Sequence, residues 1–549
     1  MSKKYIYPTR IIDSSKNIAN DVCLLKERTY LQIGINESEY AIFASGSFII
    51  LDFGKELCGG VRILTYQAQD DCRIRIRFGE SVSECCAEIG ENSASNDHSP
   101  RDIVEQLVSF SDLEFGQSGF RFVRIDVLCG ELKIKNVVAA SLIAETNRSG
   151  YFNCDDDRVN KIFETAAYTL ELCQRNGMLW DGIKRDRLVW GGDLHAQMLG
   201  TLSLFDAGEH VRRSLRFLRE QTPLPDFIND LPVYSLWWIA AVTDYYMYTA
   251  DEGFLRENAE YVKTLIGLFS SSIDENGDMI FPNVADPYFF DLDTYRSPDS
   301  KAGVYAVAEY VFCKLEGVAE KIGISGTVLS EMRRKLRKDI PGGDRAQIIA
   351  MQTLGKKQVI EAETEKLKNL TPKDITAFMS YYIFSAMAKS GFCEKAFRIM
   401  KEYYGTMLSL GSTTFWEEFR TEWAENSIRL DEVPVKGKKN AHADYGAYCY
   451  SGLRKSLCHG WSASPVPFIV KYVLGIRILD PGYKKIRISP DLCGLRWVEG
   501  GIPTPYGSMK IFIRREENGL EVRLIAPREI SVEPDQNIKE RFIREICEK

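Results

Sequence analysis

The 549-residue chain sets 70 Lys plus Arg against 77 Asp plus Glu, a formal charge of -7 with no basic stripe; nucleic acid is therefore not an expected partner, and a large core in two to four domains is. Fourteen cysteines run from Cys23 to Cys547 without a CxxC pair, which argues for reduced thiols serving as small core residues in a cytoplasmic protein. The five histidines, His98, His195, His210, His442 and His459, follow no metal-ligand spacing, so neither a metal nor another cofactor is expected.

The opening MSKKYIYPTRIIDSSKN has early lysines but no continuous apolar run or cleavage site, and no signal peptide is expected. From about residue 38 to 147 short runs alternate apolar and polar residues between Gly, Asp and Ser, as in YAIFASGSFIILDFG, CRIRIRFGES and FRFVRIDVLCG. Period two of this kind predicts an antiparallel, jelly-roll-like β-sandwich over residues 1–148. The polar SECCAEIGENSASNDHSPRD, residues 83–102, interrupts it as a long loop.

Near Tyr151 the pattern changes to apolar residues three and four apart, and the spacing predicts about a dozen helices over residues 149–475. Asp155 to Asp157 provide an acidic cap for the first. The most apolar stretch, VYSLWWIAAVTDYYMYTA, carries Asp244 and several tyrosines, so it reads as a buried helix and not as a bilayer span. Paired helices in this number fit an (α/α)6 barrel; no fixed period supports a solenoid. Strands return after Gly475. The predicted fold is thus multidomain α and β, a central (α/α)6 barrel flanked by an N-terminal β-sandwich and a C-terminal one over residues 476–549.

Three segments carry chemistry. MLWDGIKRDRLVWGGDLH, residues 178–195, gathers Asp181, Asp186 and Asp193, Lys184, Arg185 and Arg187, and two tryptophans around three glycines. It reads as a loop entering a helix that begins near Asp193, with that aspartate as N-cap; a surface ion-pair cluster is the plain alternative. Aromatic faces for a pyranose ring, charged groups for its hydroxyls and carboxyls for acid and base work favour a sugar site. LGSTTFWEEFRTEW, residues 410–423, follows a glycine that ends a helix and holds the vicinal Glu417 and Glu418. On an amphipathic helix these would face water or diverge by about 100°, so that at most one enters a cavity. SLCHGWSASP, residues 456–465, places His459 in a Gly- and Ser-rich loop, where a lone histidine is more often structural than catalytic.

DGIKRDRLVWGGD and GSTTFWEEF resemble the two signatures of the inverting α-L-rhamnosidases of glycoside hydrolase family 78, and more broadly of the six-hairpin glycosidases. His459 before a closing helix and a terminal β domain follows that family's order, and the likeness runs from about residue 115 to 510. The resemblance implies that Asp186 stands where the general acid is found and Glu417 where the general base is found. Asp181, Arg185, Asp193 and His459 would hold the sugar hydroxyls, with Trp190 and Trp416 as walls. The family's acid is commonly Glu; here it is an Asp, and Asp193 and Asp181 are the alternatives for that role.

The implied activity is release of terminal L-rhamnose from a small glycoside or oligosaccharide, without cofactor. Other six-hairpin enzymes cut other sugars, so a different specificity is the second reading, and a glycan-binding protein without catalysis the third. A carbohydrate is the expected partner, membrane is not, and a homodimer is compatible with the sequence.

Overall fold

The computed structural model describes residues 2–144, 146–337 and 343–547. The chain forms two compact units, one of Met1–Glu145, Gly182–Arg187 and Thr406–His459, the other of Thr146–Asp181, Leu188–Gly405 and Gly460–Lys549.

In the first unit a nine-stranded sheet is built around two long strands, Phe48–Ala68 and Ser111–Cys129, which pair antiparallel with Ile49 opposite Ile125 and Ile63 opposite Leu113. Alternate side chains, among them Phe43, Ile49, Leu51, Ile74, Ile76, Phe120, Val123 and Ile125, form its core, as period two requires. Three strands precede residue 38: Lys3–Ile6, Arg10–Ser14 and Ile18–Ala19. At two to five residues they are too short to display a period. The 83–102 segment begins with one helical turn, Val82–Cys86, whose Glu84 N donates to the Ser81 hydroxyl at 3.2 Å.

The second unit holds the helices. Asp157–Leu172 starts on the Asp156 carboxylate, which accepts from Arg158 N at 3.0 Å and Val159 N at 3.2 Å, in line with the acidic cap expected there. Pro232–Thr249 is buried on every face through Tyr246, which is why it reads as uniformly apolar. No helix among the described residues is long and apolar enough to cross a membrane. Past Gly475 come a three-stranded sheet (Ile476–Asp480, Lys485–Ile488, Ser531–Pro534) and a five-stranded sheet. Tyr151–Cys154, ahead of the first helix, is an edge strand of the latter through its pairing with Trp497–Ile502.

Two local expectations are corrected. The helix expected near Asp193 runs over Gly191–Leu204 with Trp190 as N-cap, so Asp193 lies in its first turn. The glycines are there for close packing: a Cβ on Gly192 would stand 2.6 Å from the Tyr234 ring. Residues 410–420 are not helical. Their hydrogen bonds go across the chain instead, from Thr414 Oγ1 to Leu457 O (2.7 Å), Glu417 N to Ser456 O (3.0 Å) and His459 N to Phe415 O (2.9 Å).

All fourteen cysteines are free thiols and nine of them are buried, consistent with their reading as small core residues.

Candidate active site

Within the first unit the short segment Gly182–Arg187 turns sharply. Asp186 and Arg187 both sit in the left-handed region, at φ 53° and 59°. Non-glycine residues there store strain, of order 1–3 kcal/mol each, and such strain gathers at functional sites.

The turn delivers Arg185 between two carboxylates. Its Nη1 donates to Asp186 Oδ1 at 2.9 Å, and its Nη2 makes a close ion pair with Glu417 Oε1. One planar fork therefore spaces the two acids a guanidinium apart, which a lysine could not do. Glu417 is 2 % exposed. His459 Nε2 lies 3.6 Å from the same Oε1, while Oε2 accepts from Ser456 N at 2.9 Å. Burial alone would push the Glu417 carboxyl up, but the Arg185 charge first, then His459, hold it below the usual carboxylate range. Glu417 is thus an ionised acceptor, suited to taking a proton from water.

Asp186 is the more open of the two acids, with a side chain 15 % exposed, and His98 Nε2 lies 3.4 Å from its Oδ1. His98 comes from the 83–102 loop, at φ 64°. That loop is fastened by Ser93 to Ser451 (3.2 Å) and by Asp97 to Arg454 (2.9 Å).

Beneath these groups Lys184 is buried as a cation. Its ammonium meets Glu80 Oε2 at 3.0 Å, Glu84 Oε1 at 3.1 Å, and the carbonyls of Leu453 and Lys455 at 3.0 and 2.7 Å. Glu80 accepts from Ser456 Oγ (3.1 Å) and Leu457 N (2.6 Å), so the loop segment that supports Glu417 is pinned from below. Burial pushes the Glu80 carboxyl up to about 7, with Lys184 opposing. Glu80, Glu84 and His442 present their ligand atoms within 4.8 Å of one another, as a metal site would, yet the Lys184 ammonium is bonded to both carboxylates. That donor set is satisfied by a side chain.

Trp416, expected as a sugar wall, is fully buried and donates from its indole to Ser412 Oγ at 2.7 Å. It packs edge-on against Phe419, ring centroids 5.2 Å apart. Glu418 is half-buried.

In the second unit Asp181 is buried. Its N donates to Leu188 O at 2.8 Å, its Oδ1 accepts from Leu188 N at 2.8 Å, and its carbonyl accepts from Gly460 N at 2.7 Å. Trp190 is half-buried, edge-on to Tyr234 at 6.0 Å. Tyr234 in turn meets Phe289 at 5.9 Å and Phe289 meets Tyr295 at 6.0 Å, an aromatic row suited to apolar sugar or aglycone faces. Asp193 is buried in the first turn of its helix.

Sequence reasoning missed His98, Glu80 and Glu84. The SVSE run at Ser81 to Glu84 carries a capping-box pattern that announces the helical turn, but nothing local tells that Glu80 and Glu84 meet a lysine one hundred residues on.

Residues 147–323 match the family model of the bacterial α-L-rhamnosidase six-hairpin glycosidase domain, and residues 475–533 that of the bacterial α-L-rhamnosidase C-terminal domain. Among characterised proteins, an α-L-rhamnosidase of Formosa agariphila is 22 % identical over 545 residues, covering 87 % of this chain and 54 % of its own. The chain spans about half the length of the curated relatives it matches. Among solved structures, the GH78 family rhamnosidase of Bacillus sp. GL1 superposes with a TM-score of 0.72 at 19 % identity, over 93 % of this chain and 56 % of that one. A Klebsiella oxytoca rhamnosidase with rhamnose bound gives 0.64 at 21 %, over 85 % and 95 %.

Proposed function

We propose, from the premise that the chain carries the six-hairpin glycosidase and C-terminal domains of the bacterial α-L-rhamnosidase family, that it is an inverting α-L-rhamnosidase acting on small glycosides or oligosaccharides. In this reading the helices close as an (α/α)6 barrel over residues 149–475, with β domains over 1–148 and 476–549.

The observation that carries the proposal is the single Arg185 guanidinium held by both Asp186 and Glu417. An inverting hydrolase needs two carboxyls set apart with room for a water, roughly 6.5–9.5 Å, and a fork between them supports a spaced pair over a touching one. Glu417, ionised, takes a proton from a water as its oxygen attacks the anomeric carbon. Asp186 gives a proton to the glycosidic oxygen as the anomeric carbon–oxygen bond breaks. The products are the free alcohol and L-rhamnose of inverted configuration. Arg185 and His459 would steady Glu417 and the sugar hydroxyls, and Asp181, Trp190 and Asp193 are assigned to sugar contacts.

The test is phenol release from a panel of aryl glycosides, with the product anomer followed by proton NMR and Asp186→Asn and Glu417→Gln as controls of unchanged melting temperature. Release from the α-L-rhamnoside, lost in both variants, supports the reading. Release from another sugar alone discards the specificity. Tight rhamnose binding without product in any assay leaves a binding protein.

A further inference from the structure

The second unit contains a cavity of about 320 Å³ whose lining the proposed hydrolysis does not use. Asp244, Tyr310, Lys314, Tyr381, Lys471 and Arg477 line it. It is distinct from the face that carries Trp190. Tyr234, at the start of Pro232–Thr249, packs on Trp190, and Asp244 follows ten residues later on the same helix, about 15 Å along its axis.

Charge in this cavity is not balanced by the protein. Asp244 is fully engaged, its Oδ1 2.7 Å from Lys314 Nζ and its Oδ2 2.8 Å from His195 Nε2. Lys471 and Arg477 remain. Among the described residues neither has a carboxylate within 4.0 Å, and both face one ring, Tyr472, at 5.3 and 5.7 Å from its centroid. Two cations without a carboxylate partner, in a lining that also holds the phenols of Tyr310 and Tyr381, form a receptor for an anion.

The backbone at Lys471 is unusual. The helix Pro465–Phe468 widens to a π turn over Ile469–Val473, where Leu474 N donates to Ile469 O at 2.9 Å, and Lys471 is the central residue of that turn. Such turns are rare and recur at functional sites. Burial pushes the phenols of Tyr310 and Tyr381 up, so both are neutral donors at physiological pH.

We propose that this cavity binds a small organic carboxylate with a flat apolar body. The carboxylate meets Lys471 and Arg477, and the body lies against Tyr310 and Tyr381. A volume of about 320 Å³ sits at the small end of ligand pockets, which fits one ring with one charge.

Isothermal titration of the full chain with benzoate tests this, with benzamide as the uncharged isostere and inorganic phosphate as the second anion. Benzoate should bind at one site per chain, at least tenfold tighter than benzamide and tighter than phosphate, and L-rhamnose should not compete. Lys471→Met should weaken benzoate at least tenfold. Should that variant lose its circular dichroism, Arg477→Gln at the cavity mouth serves in its place. Equal binding of benzoate and benzamide, a preference for phosphate, competition by rhamnose, or unchanged benzoate affinity in the folded variants each overturns the proposal. The readout is binding, so its failure is separate from any failure of the hydrolysis reading.

Discussion

Arg185 makes a close ion pair with Glu417 while donating to Asp186 at 2.9 Å. The residue between the two acids is thus itself next in sequence to one of them, and the left-handed backbone at Asp186 and Arg187 is what lets neighbouring side chains share one fork. Strain in the turn is set against charge pairing beneath it.

Arg185→Lys should lower kcat/KM by about a hundredfold, because an ammonium cannot hold two carboxyls in register and small misplacements cost of that order. It should also move the acidic limb of the pH profile upward. Glu417 is held low by Arg185 against burial, so with a weaker partner the base protonates at higher pH. An unchanged limb in a folded variant would mean that Glu417 is not the group being titrated.

Glu417→Gln should abolish turnover and Glu418→Gln should leave most of it. Glu417 is fully desolvated and faces Arg185 and His459, whereas Glu418 is half-buried. The comparison is a simple rate measurement. A dead Glu418→Gln with a live Glu417→Gln would move the base by one residue.

The sheet and most helices were legible because their periods are long and regular, as in Phe48–Ala68 and Asp157–Leu172. The charged cluster around Arg185 was legible by composition. What was hidden depends on distance along the chain: His98 reaches Asp186 and Lys184 reaches Glu80 only once the sheet has formed. Periodicity reports nothing on such pairs. The misread helix start at Asp193 has a local cause, since Gly191 and Gly192 look like helix breakers until Tyr234 is seen pressed against them.

His98→Ala should lower kcat by about tenfold or more while leaving the melting temperature within a degree or two. The side chain is 31 % exposed, so little packing is lost, but the neighbour of Asp186 Oδ1 is removed. Its effect should appear on kcat more than on KM. An effect on KM alone would reduce His98 to a sugar contact and separate it from the acid.

The buried ammonium gives the strongest stability prediction. Lys184→Met leaves Glu80 and Glu84 without their cation and should cost about 3–5 kcal/mol. Glu80→Gln should act in the opposite sense on pH dependence. The Glu80 carboxyl is raised from 4.5 to about 7 in the fold, so between those values the native state holds a proton that the unfolded chain releases. Stability must then fall as pH rises through that window. In Glu80→Gln the fall disappears, and urea midpoints at pH 5 and pH 7.5 should come closer together than in the parent chain. Parallel curves for the two proteins would place the titration elsewhere, and the burial of Glu80 would then be fully offset by Lys184.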